Sequence, residues 1–164
     1  MNERMFCFQC QETAGGTGCK MAGVCGKNPE VAHAQDLLIY LLKGIGVIAN
    51  CHPHAEGQHY CENRRNIHAF VNDALFSTIT NANFDDESIA ARVDRGLDLR
   101  DALAERLRAL APVPTADAVT WRAGREAYDA KAGEVGVLAE TDADKRSLTE
   151  LIIYGLKGMA AYVE

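Results

Sequence analysis

Residues 28–48 read NPEVAHAQDLLIYLLKGIGVI, and this stretch decides the fold. Asn28 is a helix cap by type, Pro29 suits the first helical position, and Glu30 complements the positive end of the helix dipole. Leu37, Leu38, Leu41, Leu42, Ile45 and Ile48 then recur at helical spacing and form one wide apolar face. The segment Cys51 to Asn63, CHPHAEGQHYCEN, lacks periodicity, contains Pro53 and Gly57, and reads as a loop.

Two further helices follow. Ile67, Phe70, Val71, Ala74 and Leu75 share a face that stops near Thr80, where Asn81, Asn83 and Asp85 favour turns. Asp85 or Asp86 caps a third helix carrying Ile89, Val93, Leu103, Leu107 and Leu110, which Pro112 and Pro114 terminate. Three helices with short connections predict an antiparallel bundle. A weaker helix is expected over Ala116–Lys131, anchored by Trp121 and Tyr128 and interrupted by Gly133 and Gly136. Ser147-x-x-Glu150 has the form of a capping box before a last apolar helix. No segment alternates in the manner of a strand, so the fold class is all-α.

The chain also resembles itself. LLIYLLKG at 37–44 and LIIYGLKG at 151–158 share six of eight residues at an offset of 114. The shared Tyr, Lys and Gly are not demanded by amphipathicity, so the match reads as a duplicated unit. The expected organisation is a Cys-rich segment over 1–27, a first three-helix bundle over 28–111, and a linker with an incomplete second bundle over 112–164. Leu148, Leu151, Ile152, Leu156 and Met159 form an apolar face on the second copy. Its expected cover is a homodimer through the carboxy-terminal helix or later parts of a longer protein. Lys43 and Lys157 are expected to snorkel from otherwise apolar faces.

Composition narrows the function. The 164 residues carry 17 basic and 23 acidic side chains, a formal charge of −6 spread along the chain. That balance argues against a nucleic-acid surface and a basic membrane anchor. The amino terminus has no apolar signal core, and the apolar run Leu37–Ala49 contains Lys43 and falls short of the ~20 residues that span a bilayer. A cytoplasmic protein is expected.

Four of the six cysteines fall within the first 25 residues as Cys7, Cys10, Cys19 and Cys25, a C-x2-C-x8-C-x5-C pattern. In a reducing compartment such a cluster reads as metal-binding or catalytic before it reads as disulfides. Flanking glycines let the backbone wrap closely and aim N–H groups at sulfur. Four thiolates suit an iron–sulfur cluster; the alternative is a four-thiolate zinc site that ties down the amino terminus. Cys51, His52, His54, His59 and Cys61 form a rival zinc constellation, against which stands a plain loop whose side chains never converge. His33 and His68 read as partners of polar groups or solvent, Asp85, Asp86 and Glu87 as helix-capping residues, and Arg64 and Arg65 as a solvated helix start.

The blocks MFCFQCQETAGGTGC, MAGVCGKNPEVAHAQDLLIYLLKGI, NIHAFVNDALFSTITNANFDDE and EVGVLAETDADKRSLTELIIYGLKGMAAY resemble the amino terminus of the hybrid cluster (prismane) protein family, known as hydroxylamine reductases. The resemblance is weakest in the Cys51–Asn63 loop and between Leu97 and Ala132. It implies a helical domain of two three-helix bundles followed by α/β domains. It further implies an amino-terminal cluster that passes electrons to a separate Fe–S–O hybrid cluster. The close spacing resembles the class with a [4Fe-4S] cubane; the [2Fe-2S] class is wider. By position the ligands are Cys7, Cys10, Cys19 and Cys25. The hybrid-cluster ligands belong to domains beyond these 164 residues, so this chain alone is expected to relay electrons, from a redox donor protein to the remaining domains, without reducing substrate. The contrasting expectation is a zinc-stabilised helical interaction module without redox activity.

Overall fold

The computed structural model describes residues 4–10, 12–51, 58–79, 82–110 and 112–163, with the backbone alone for 58–64. Its helices are α1 Pro29–Asn50, α2 Gln58–Ser77, α3 Asp86–Arg108, α4 Asp117–Thr120, α5 Tyr128–Val135 and α6 Ala143–Ala160. Short 3-10 turns occupy Ala14–Gly16, Arg125–Ala127 and Val137–Ala139. Among the described residues there is no strand; a single antiparallel bridge joins Cys7 and Cys19. The all-α expectation holds.

α1 is the central helix because it is apolar over most of its circumference. Val31, Leu37, Leu38, Leu41, Ile45 and Ile48 are buried, and the helix packs against α3 on one side and α4 and α5 on another. It is longer than the apolar run suggested, and its 22 residues are enough to cross a membrane by length and composition; here it forms the core. Asn28 caps it by accepting from the Val31 N–H at 2.8 Å. Asp85 caps α3 by accepting from Ser88 N–H at 3.1 Å. Phe70, Ala74, Ile89, Val93, Leu103 and Leu107 complete the core from α2 and α3, and Val119, Tyr128, Ala132 and Ala160 join the same cluster.

Several local expectations need correction. α2 begins at Gln58, inside the expected loop. The weak helix over 116–131 is instead the single turn α4, an extended link, and α5. Gly133 stays within α5, and it is Gly136 that ends it, its N–H returning to the Ala132 carbonyl. α6 starts four residues before Ser147: Asp142 accepts from the N–H groups of Asp144 and Lys145. The Ser147 hydroxyl then donates to the Ala143 carbonyl inside the helix, so the capping box does not form. A competing aspartate placed earlier takes the role because its carboxylate serves two exposed N–H groups at once.

Polar contacts also tether α4 and α5 to the bundle. Asp117 accepts from the Tyr40 hydroxyl and from Lys131 at 2.7 Å. Tyr128 is buried and donates to Asp94 at 2.6 Å, with Trp121 half-buried beside it at 6.1 Å between ring centroids. α6 packs against α2 and buries only Ile153, Lys157 and Ala160 among its described residues. Leu148, Leu151, Ile152, Leu156 and Met159 stay 43–67% exposed, as a bare second face.

Candidate metal centre

The four amino-terminal cysteines lie on one folded loop. Cys7 and Cys19 exchange backbone hydrogen bonds, Cys7 N–H to Cys19 O at 3.0 Å and Cys19 N–H to Cys7 O at 2.7 Å. Thr13 closes the turn after Cys10: its N–H donates to the Cys10 carbonyl at 3.2 Å and its hydroxyl to the Cys7 carbonyl at 3.0 Å. Gly18 takes φ +123°, and the Phe6 ring fills the place where a side chain would begin, 2.5 Å from an added Cβ. Gly23 and Lys27 form the last turn, Gly23 N–H to Lys27 O at 2.7 Å. A Cβ on Gly23 would stand 3.0 Å from the Cys25 sulfur, so the glycine leaves that sulfur its room.

The sulfurs are surrounded by donors. Cys19 Sγ accepts from the Ala14 N–H at 3.4 Å, is engaged by the Val24 N–H, and lies 3.6 Å from the Thr13 hydroxyl. Burial works to raise the Cys19 thiol, but those two N–H groups, the Thr13 hydroxyl and the charge of Lys27 outweigh it and hold the thiol below its ordinary value. Lys27 Nζ donates to Cys7 Sγ at 3.8 Å and to Gln35 Oε1 at 2.6 Å, and both Lys27 and Gln35 are buried. All four cysteines have free thiols.

These residues fit an anionic, thiolate-held group. Soft sulfur donors, N–H groups aimed at sulfur and a buried ammonium are the surroundings that stabilise thiolates and tune an iron–sulfur cluster. Among the described residues no three Cys, His or carboxylate side chains form a group compact enough for one metal ion.

The other sequence candidates sort as follows. Cys51 donates to the Val47 carbonyl at 3.1 Å at the end of α1. His52 and His54, and the side chains of His59, Cys61 and Arg64, lie outside the described residues, so the rival constellation is not placed. His33 pairs with Asp129 at 2.5 Å, His68 and Arg65 are exposed, and Glu87 accepts from Arg125. Lys43 is exposed, but Lys157 is only 3% exposed and does not snorkel. Sequence reading missed Thr13, Lys27, Gln35 and Asp36, and placed Lys157 in solvent rather than at the cysteine loop. Gln35 carried a signal: it interrupts the apolar stripe running from Val31 to Leu38 and Leu42 at a position facing the core.

The structure thus places a loop of four free cysteine thiols directly ahead of the central helix of a helical bundle. The chain belongs to the Prismane/CO dehydrogenase family, whose model matches residues 5–164. It is similar to proteins named hydroxylamine reductase. That of Desulfitobacterium hafniense (strain DSM 10664 / DCB-2) is 49% identical over 164 residues, covering 98% of this chain and 29% of that protein. That of Bacteroides thetaiotaomicron is 51% identical over 160 residues, with 98% and 28% covered. That of Porphyromonas gingivalis is 47% identical over 165 residues, with 100% and 30% covered. The chain thus spans about three tenths of the length of the curated relatives it matches.

Proposed function

We propose that these 164 residues are the electron-relaying amino-terminal part of a hydroxylamine reductase, binding a [4Fe-4S] cluster through Cys7, Cys10, Cys19 and Cys25. The observation that carries the reading is the Cys7–Cys19 backbone pair, with the Cys19 sulfur ringed by N–H donors and the Cys7 sulfur met by Lys27. The group, when bound, supplies one-electron transfer. The chain's own residues do the rest: glycines let the loop close on sulfur, Thr13 and Ala14 hold Cys19, and α1 anchors the loop through Asn28. The proposed setting is the cytoplasm. Electrons arrive from a protein donor and leave to the remaining domains of the protein, where hydroxylamine is reduced. Similarity to hydroxylamine reductases over nearly the whole chain supports this.

Anaerobic iron and sulfide analysis tests the reading. The purified chain should be brown and hold iron and sulfide in equal amounts. Cys10→Ser and Cys19→Ser should lose most of that iron, because an alkoxide replaces a soft thiolate poorly, while Cys51→Ser should keep it. A colourless zinc-containing chain, or equal iron loss from both sets, would overturn it.

A further inference from the structure

Beneath the cysteine loop lies an excess of buried positive charge. Lys27 is 2% exposed and Lys157 3% exposed. Lys27 is fixed from two directions, by Gln35 at 2.6 Å and by the Cys7 sulfur at 3.8 Å. Lys157 arrives from the opposite end of the sequence, on α6. Among the described residues no hydrogen bond or close ion pair engages its ammonium, which borders a cavity of about 390 Å³ shared with Phe8, Cys10, Glu150 and Tyr154.

A buried ammonium without a close anion is costly, and two near each other more so. The nearby anions do not balance them. Glu150 is half-buried, and burial drives the Asp36 carboxyl toward its neutral acid. Lys157 feels Lys27 as a repelling charge, and Glu150, Asp36 and Cys7 as attracting ones. Both lysines therefore stand at the cysteine loop: Lys27 donates to the Cys7 sulfur, and Lys157 borders the cavity that Cys10 lines. The arrangement is complete only when the loop carries a net anion.

We propose that Lys27 and Lys157 are paired positioning residues that compensate the negative charge of the thiolate-held iron–sulfur group and raise its reduction potential, with Gln35 fixing Lys27. This rests on the iron–sulfur reading above. One-electron reduction by an external low-potential reductant adds a negative charge to the group. Fixed positive charge in a poorly screened interior favours that reduced form. The pairing also gives α6 a role at the cysteine loop, since Lys157 sits on the helix that repeats α1, whereas its counterpart Lys43 faces solvent.

The test is a redox titration of the anaerobically reconstituted chain, followed by visible absorption and low-temperature EPR, with iron and sulfide measured on the same samples. Lys27→Met and Lys157→Met should each bind iron as the parent does but shift the reduction equilibrium at least tenfold toward the oxidised form, about 59 mV lower for one electron. Lys157→Arg should recover most of the shift, and Lys43→Met should show none. If Lys27→Met fails to hold the loop, Lys157→Met decides, because its ammonium ties no segment by a hydrogen bond. Both methionine variants with parental iron and parental potential would overturn the charge role and leave the cluster assignment standing. A parent chain that takes up no iron and sulfide would overturn the cluster assignment itself, and this role with it.

Discussion

Gly44 of α1 faces the Ala118 carbonyl so closely that a Cβ added to it would lie 2.0 Å from that oxygen. The oxygen cannot retreat, since it also accepts from Arg100 Nη1 at 3.2 Å. Gly158, the matching residue of the repeated segment, has nothing within 4 Å of its own added Cβ. The same substitution should therefore have opposite signs at the two sites. Gly44→Ala should destabilise by about 1–3 kcal/mol through forced backbone displacement. Gly158→Ala should stabilise by roughly 0.5–1 kcal/mol through helix propensity alone. Parallel thermal melts check this; two changes of the same sign would contradict the packing.

Arg100 is the largest fully buried side chain and is satisfied by neighbours in sequence and space. Its Nε and Nη2 donate to Asp101 Oδ1 at 2.9 and 2.6 Å, and Arg122 shares the other oxygen of that carboxylate at 2.6 Å. Arg100→Met removes the donor that holds the Ala118 carbonyl and should cost about 1–3 kcal/mol. Arg100→Lys should not restore the loss, because an ammonium lacks the planar fork that serves Asp101 and Ala118 together. Urea unfolding of both variants measures the difference, and a fully stable lysine variant would refute the role of the fork.

Asp36 should make stability depend on pH. Burial first, then Glu150, pushes its carboxyl up to about 7 from an ordinary 3.8, against the pull of Lys157, His33 and Lys27. The folded chain therefore binds this proton more tightly than the unfolded chain does. The resulting stability is present below about pH 4 and is lost as pH rises through 7. Lys157, pushed down to about 8 chiefly by burial, works at the alkaline end: stability is lost as pH falls from 10.5 through 8. Melting temperatures from pH 4 to 8 should fall more steeply in the parent than in Asp36→Asn. Identical slopes would show that Asp36 is not the responsible group.

The bare face of α6 should self-associate. Burying one aliphatic side chain of this kind contributes about 1.5–3 kcal/mol, and five stand exposed together. A symmetric dimer is the simplest closed arrangement. Sedimentation should show concentration-dependent association that Leu151→Glu or Ile152→Glu shifts toward monomer. A strict monomer from micromolar to millimolar concentration would exclude the dimer.

The sequence was most legible where one helix's own periodicity decided the outcome. The Asn28 cap, the buried stripe of α1 and the Asp85 cap needed only local spacing and local hydrogen bonds. Ser147 misled because Asp142, five residues earlier, offers the stronger cap, and propensity does not rank two nearby caps. The breakdown of 116–131 into two short helices follows from packing on α1, through Tyr40, Asp117 and Lys131, which no local pattern reports. In the site, the cysteine spacing was visible as a set. The lysines beneath it were not, because Lys157 lies more than 100 residues from Cys7 in sequence and nears the loop only in the folded chain, across a cavity that Cys10 lines.

The cysteine loop runs almost directly into α1: Gly26 and buried Lys27 follow Cys25, and the next residue, Asn28, caps the helix. Oxidative loss of the proposed iron–sulfur group would therefore be felt as fraying of the first turn of α1. Amide exchange at Val31 and Ala32, which report that turn, would rise before anything happened in the middle of the bundle. The helix that organises the core would then double as a strain gauge for the state of the four thiols.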